Sequence, residues 1–262
     1  MGEGPKATHF VKAPPPRLPH LAALTHRCQA SGAARVGSVP SRLRPTAPVA
    51  ADAVLVGDPG RALLLAQELL GEPKMSNHAR GLWAYFGTTS AGGELTIQAT
   101  GMGGPSAVLV LDDLAELGVK RAVRVGTCAG ADASVALGDL LIVREGIAQG
   151  GSAAALGVEP GTPVAPAPGL TEQLHSELGE VGKLVSITSV DAHPAEHSVG
   201  SGTAAIDMQT ASLLARATSL QIELAAVLIV SETEGGGAGL GKEALEKLER
   251  RAGRAASAIL SG

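Results

Sequence analysis

From residue 53 onward, short runs rich in Val, Ile and Leu alternate with segments whose apolar positions recur at helical spacing. That alternation is the mark of an α/β layer fold. The pattern predicts strands at 53–57, 95–100, 122–126, 140–145, 184–188 and 225–231, and helices at 60–70, 105–117, 171–178, 208–219 and 240–260. Every position of 225–230 is apolar, as a central strand covered on both faces requires. The expected architecture is therefore one α/β domain, a three-layer α/β/α arrangement with a central mixed, mostly buried sheet. Residues 151–168, rich in Gly, Ala and Pro, read as a connection, and no repeat of fixed period breaks the chain into units.

Composition narrows the function classes. Of 262 residues, 45% are hydrophobic and only 2% aromatic, so the core is built from Ala, Val, Leu and Ile. Stacking platforms for single-stranded nucleic acid are nearly absent. No apolar run reaches the length of a membrane span, and the first residues lack the layout of a secretory signal. Cys28 and Cys128 form no CxxC-type pair, which removes support for a disulfide framework or a structural zinc site and makes a reducing, cytoplasmic setting the expectation. The net charge of -4 is unevenly divided: residues 1–48 carry +6, leaving -10 on the rest. An acidic body argues against DNA as the main ligand. Residues 1–46, with Pro14-Pro15-Pro16, read as a basic, Pro-rich and mostly unstructured leader, and 47–262 as the folded domain. A transit peptide would need an amphipathic helix that this proline run breaks.

Candidate chemistry gathers where predicted strands end. In Val56-Gly57-Asp58-Pro59-Gly60-Arg61 a strand runs into a Gly-rich turn that opens a helix, so free backbone N–H groups and an arginine converge, as anion binding requires. In Arg124-Val125-Gly126-Thr127 a guanidinium stands inside an apolar strand, which is costly unless it meets an anion. The alternatives from the residues alone are a surface helix-end charge for Arg61 and a structural ion pair with an Asp for Arg124. Thr100-Gly101-Met102-Gly103-Gly104-Pro105-Ser106 also joins a strand to a helix. It departs from a dinucleotide fingerprint, because Ser106 takes the third Gly position and the next strand ends in Arg124-Val125-Gly126 with no acidic residue.

Taken in order, Gly57-Asp58-Pro59-Gly60-Arg61, Ser76-Asn77-His78-Ala79-Arg80-Gly81, Gly101-Met102-Gly103-Gly104-Pro105-Ser106, Arg124-Val125-Gly126-Thr127-Cys128, Asp207-Met208-Gln209 and Val230-Ser231-Glu232 resemble the motifs of the nucleoside phosphorylase family, in its purine nucleoside and uridine phosphorylase branch. The resemblance implies reversible attack of inorganic phosphate on C1' of a nucleoside, giving a free base and (deoxy)ribose 1-phosphate, in purine salvage and nucleoside catabolism. It implies phosphate binding by Gly57, Arg61, Arg124 and Thr127. Arg80 is then expected to serve the phosphate site of a neighbouring subunit, in a homo-oligomer that is a dimer or a hexamer. Met102 and Met208 are expected to pack on the ribose, Gln209 to hold its hydroxyls, Ser231 to line the nucleoside site, and Glu232 to donate a proton to the purine. Nucleoside and phosphate are the expected partners, with no metal, no organic cofactor, no nucleic acid and no membrane.

Two positions depart from that family's pattern. Gln209 stands where a Glu is usual, which removes a negative charge from beside the developing oxocarbenium, and Glu232 stands where the purine branch has Asp. The segment Thr188-Ser189-Val190-Asp191-Ala192-His193 lacks both the usual aromatic and the Gln and Arg pair expected for uracil, which favours purines. The alternatives are a uridine phosphorylase, a nucleoside hydrolase of the same fold, and a catalytically impaired nucleoside-binding homologue in which Gln209→Glu restores turnover. Two further motifs are incomplete. Gly236-Gly237-Ala238-Gly239-Leu240-Gly241-Lys242-Glu243 is one residue short of a P-loop, and His193-Pro194-Ala195-Glu196-His197 matches an inverted zinc-protease pattern without helical periodicity.

Overall fold

A computed structural model describes residues 42–192, 202–233 and 239–261. Its first half runs β1 (Asp52–Val56), α1 (Pro59–Leu69), β2 (Leu70–Asn77), β3 (Ala84–Thr89), β4 (Glu94–Ala99), α2 (Gly103–Glu116) and β5 (Arg121–Gly130). Its second half runs β6 (Leu140–Ala148), α3 (Gly151–Ala154), β7 (Pro163–Val164), α4 (Pro168–Leu178), β8 (Gly182–Ser189), β9 (Ala205–Asp207), α5 (Thr210–Leu220), β10 (Glu223–Thr233) and α6 (Lys242–Leu260). The leader as far as residue 41, the His193–His197 pattern and the first three residues of the Gly-rich run 236–241 lie outside the described residues.

β1 pairs in parallel with β4 and β5, and β5 pairs in parallel with β10. Because successive side chains of a strand point to opposite faces, one chain supplies two cores. Ala53, Leu55, Ala122, Ala226 and Leu228 meet α2 and α5, whereas Val54, Val56, Val123, Val125, Val227 and Ile229 meet α1, α4 and α6. Helices thus cover both faces of a mixed sheet, as the apolar pattern requires. Periodicity did not announce a closure: β10 also pairs with β6, β6 with β8, β8 with β9 and β9 with β5. Five strands form a ring, from which β1, β4, β3 and β2 extend as an open sheet.

The six predicted strands and five predicted helices all occur, with shifted ends. β5 continues to Gly130, and α5 starts at Thr210 because the Asp207 carboxylate accepts the Thr210 N–H. β2 and β3 were not predicted; β2 is an edge strand, exposed from Gly71 to Met75 and carrying Pro73, so it shows no alternation to read. The 151–168 connection holds short α3 and β7.

The stretch Arg42 to Thr46, assigned to the leader on composition, is bound to the body. The backbone N–H groups of Arg42 and Leu43 donate to the buried Asp113 carboxylate at 2.7 and 2.8 Å, and the Arg42 guanidinium closes on it at 2.9 Å. Leu43 is buried, and the Arg44 N–H donates to Asn77 Oδ1. Hydrogen bonds from the backbone to the distant side chains of Asp113 and Asn77, which no composition rule sees, tie this stretch to the body.

Candidate active site

β1, β4, β5 and β10 run parallel, so their carboxyl ends open at the same edge, where α/β sheets form ligand crevices. A cavity of about 590 Å³ lies there. Nine of the ten residues singled out in the sequence line it: Gly57, Arg61, Met102, Arg124, Thr127, Met208, Gln209, Ser231 and Glu232. Arg80 is the exception.

Arg61 reaches the cavity because Asp58 caps α1, its Oδ1 accepting the Arg61 N–H at 2.9 Å, with Pro59 as the first helical residue. The side chain is buried, so it is no surface helix-end charge. Its Nε donates to Glu249 Oε1 of α6 at 2.6 Å and its Nη1 to the Val125 carbonyl at 3.3 Å. Of five guanidinium protons, three are left for a ligand.

Arg124 points from β5 toward the start of α5. Its Nε donates to Thr210 Oγ1 at 3.0 Å, Nη1 to Gln209 Oε1 at 2.6 Å, and Nη2 to Asp207 Oδ2 at 3.1 Å. The structural ion pair is present, and two protons remain for a ligand. Burial pulls the guanidinium below the ordinary arginine value, the Asp207 carboxylate opposes this, and the nearby Arg61 charge adds to the lowering. Asp207 is itself fixed by Ser189 Oγ and by the N–H and Oγ1 of Thr210. Gly126 makes room for all of this: a Cβ there would stand 2.7 Å from Arg124 Nη2 and 2.8 Å from Cζ.

Gln209 is 3% exposed. Its Oε1 accepts from Arg124 and from Thr100 Oγ1 at 3.2 Å, and its Nε2 donates to the carbonyls of Gly101 at 2.5 Å and Gly103 at 3.3 Å. Those glycines, at φ of 74° and 76°, make the turn that leaves Met102 91% exposed at the rim.

On β10 the register shifts between Val230 and Glu232. Neighbouring residues of a regular strand face opposite ways, so this bulge is what lets both Ser231 and Glu232 line the cavity. Burial, with Asp207 adding, pushes the Cys128 thiol well above its usual range, so it stays protonated.

Arg80 lies outside this cavity, exposed, in a one-turn 3-10 segment from Ala79 to Gly81 at φ 59°. The buried Asn77 amide sets that turn, donating to the Leu82 carbonyl at 2.5 Å. Glu249 and Thr210 stand in none of the sequence motifs, and Gly126 stands in one without a role of its own there. Glu249 had a readable signal: it falls in the apolar stripe of α6, four residues after Leu245 and three before Ala252. Lys242, last of the near P-loop, is exposed and lies 3.8 Å from Glu246 on its own helix. Among the described residues no helix is long and apolar enough to cross a membrane, and no group of three or more His, Cys, Asp or Glu is placed to hold a metal ion.

Comparisons with known proteins agree with the fold. The family model of the phosphorylase superfamily matches residues 52–262. A DeoD-type purine nucleoside phosphorylase of Oceanobacillus iheyensis is 38% identical over 96 residues, 36% of this chain and 40% of that protein, so the match spans well under half of the relative. One from Alkaliphilus metalliredigens is 26% identical over 199 residues, covering 71% of this chain and 83% of its own length. Two solved structures, each 19% identical and covered over 92%, share the fold across 81% of this chain. They are a purine nucleoside phosphorylase from Toxoplasma gondii with immucillin-H, at a TM-score of 0.71, and a uridine phosphorylase from Vibrio fischeri, at 0.70. With the motif order kept along the chain and the family match running from β1 to the last residue, this protein belongs to the phosphorylase superfamily.

Proposed function

We propose that the cavity holds inorganic phosphate beside a nucleoside and transfers the pentose from base to phosphate. One observation carries the reading: two buried guanidiniums, Arg61 from the first turn of α1 and Arg124 from β5, reach one cavity with free N–H groups still on each. Their charges repel, and an anion between them relieves that repulsion. Each is oriented by its own buried carboxylate, Glu249 or Asp207. The Gly57 N–H and the Thr127 hydroxyl complete the phosphate site.

A phosphate oxygen attacks C1', the C1'–N bond breaks, and its electron pair leaves on the base as Glu232 delivers a proton to the purine ring. The products are a free base and pentose 1-phosphate. Met102 and Met208 bracket the sugar, and the phosphate's own charge steadies the oxocarbenium-like transition state. Arg80, on a preformed exposed turn and without an ion pair among the described residues, serves the site of an adjoining subunit. Purine is the favoured base, on the uracil-reading residues missing from 188–193 and on the names of the DeoD-type relatives. Initial rates with inosine, adenosine, 5'-methylthioadenosine and uridine in phosphate buffer test it: a purine nucleoside should be fastest, and uridine fastest would move the base assignment.

A further inference from the structure

We propose that Gln209 is a positioning residue that ties Arg124 to the Gly101-Met102-Gly103 turn, and that an amide is required there for both ends to bond. This deepens the phosphorolysis reading and rests on it. The chemistry fixes which way the amide points. A guanidinium stands 2.6 Å from one end and two carbonyl oxygens stand 2.5 and 3.3 Å from the other. Reversed, the amide would set N–H against N–H and oxygen against oxygen. The side chain is therefore a bridge with an acceptor for the phosphate arginine and donors for the turn that carries Met102. Because α5 begins at the next residue, the bridge is anchored to a packed helix.

A carboxylate cannot replace it. Gln209→Glu keeps an acceptor for Arg124 but loses both N–H groups, and it brings a negative oxygen to about the same 2.5 Å from the Gly101 carbonyl. The side chain must withdraw, freeing the turn while Arg124 keeps its partners Asp207 and Thr210. Gln209→Met loses both ends. In this chain Gln209 is thus a fitted part of the site, and restoring the more usual Glu is not expected to raise turnover.

The test separates the two ends by their substrates. For Gln209→Glu the KM for inosine should rise roughly 10-fold, the ratio that one buried hydrogen bond left unmade gives, with the KM for phosphate within about 3-fold of wild type. For Gln209→Met both should rise by roughly 10-fold. A Gln209→Glu protein with kcat/KM above wild type, or with an unmoved inosine KM, overturns the proposal. Should Gln209→Met fail to fold, the KM split of Gln209→Glu alone decides. The rise in Tm on adding inorganic phosphate needs no turnover: it should persist in Gln209→Glu and shrink in Gln209→Met, and an undiminished rise in Gln209→Met overturns the positioning role. Wild-type protein that shows the phosphate shift without phosphorolysis refutes the activity and leaves the positioning role to be judged by these shifts. Wild-type protein with neither refutes both.

Discussion

Removing Glu249 probes the site through stability. Arg61 and Glu249 are each 8% exposed and bonded at 2.6 Å, joining α1 to α6. Glu249→Leu leaves a buried guanidinium without its counter-charge at nearly unchanged volume. Breaking one partner of a buried pair costs about 3–5 kcal/mol. At about 2–4 °C per kcal/mol for a body of this size, Tm should fall by roughly 6–20 °C. If Arg61 is a phosphate ligand, inorganic phosphate can stand in for the lost carboxylate, so it should raise the Tm of Glu249→Leu more than that of wild type. Saturation at a hundred times Kd is worth about 2.7 kcal/mol. Arg61→Met/Glu249→Leu replaces the pair by apolar groups and should regain most of the stability, since a buried ion pair is seldom better than good apolar packing. It should also lose most of the phosphate shift. Differential scanning fluorimetry with and without phosphate measures all three proteins. A loss below about 1 kcal/mol in Glu249→Leu, or a double variant as unstable as the single one, would refute the buried-pair reasoning. A full phosphate shift in the double variant would refute Arg61 as a ligand.

Gly126→Ala should weaken phosphate binding on the order of 10-fold or more through displaced Arg124, because the new Cβ meets Arg124 and Leu228 at under 3 Å; an unchanged phosphate KM would contradict the packing. Arg80→Ala should be nearly inactive alone, while co-refolding it with Arg124→Met should recover a fraction of the activity, since mixed neighbours contain some complete sites; no recovery in mixtures shown to exchange subunits contradicts a shared Arg80. Glu232→Gln should lower kcat on purine nucleosides by about 10²- to 10⁴-fold, the usual worth of a positioned proton donor, with phosphate KM held, and a fall in affinity alone would make Glu232 a binding group. Hydrogen bonds from Arg250 and Arg254 hold the Glu68 carboxyl below its usual value. A lowered folded-state pKa gives stability that is present above the ordinary carboxylate range and lost as pH falls from that range through the lowered folded value. Glu68→Gln should therefore cost stability near neutral pH and little near about pH 3 in urea unfolding, and an equal cost at both is the contrary result.

Much of the site was legible because its residues break the pattern of their own elements. Arg124 sits in an apolar strand, and Gly57, Asp58 and Pro59 punctuate a strand-to-helix turn, so each carries a local signal. The central strands were legible for a similar reason, since 225–230 is apolar throughout. What stayed hidden depends on partners far along the chain. Glu249 meets Arg61 across 188 residues, and only the closed fold shows that the Gln209 amide is spent on Arg124 and two carbonyls. The strand ring and the open edge were equally silent, since β9, which closes the ring, is too short and β2, at the edge, too polar to leave a period.

The most direct test of the account is base release from inosine by purified protein, with and without inorganic phosphate, with the sugar product identified by phosphorus NMR. Release that requires phosphate and yields ribose 1-phosphate is the result that two buried arginines facing one cavity predict. Release at the same rate without phosphate, giving free ribose, would make the protein a hydrolase and contradict the central claim.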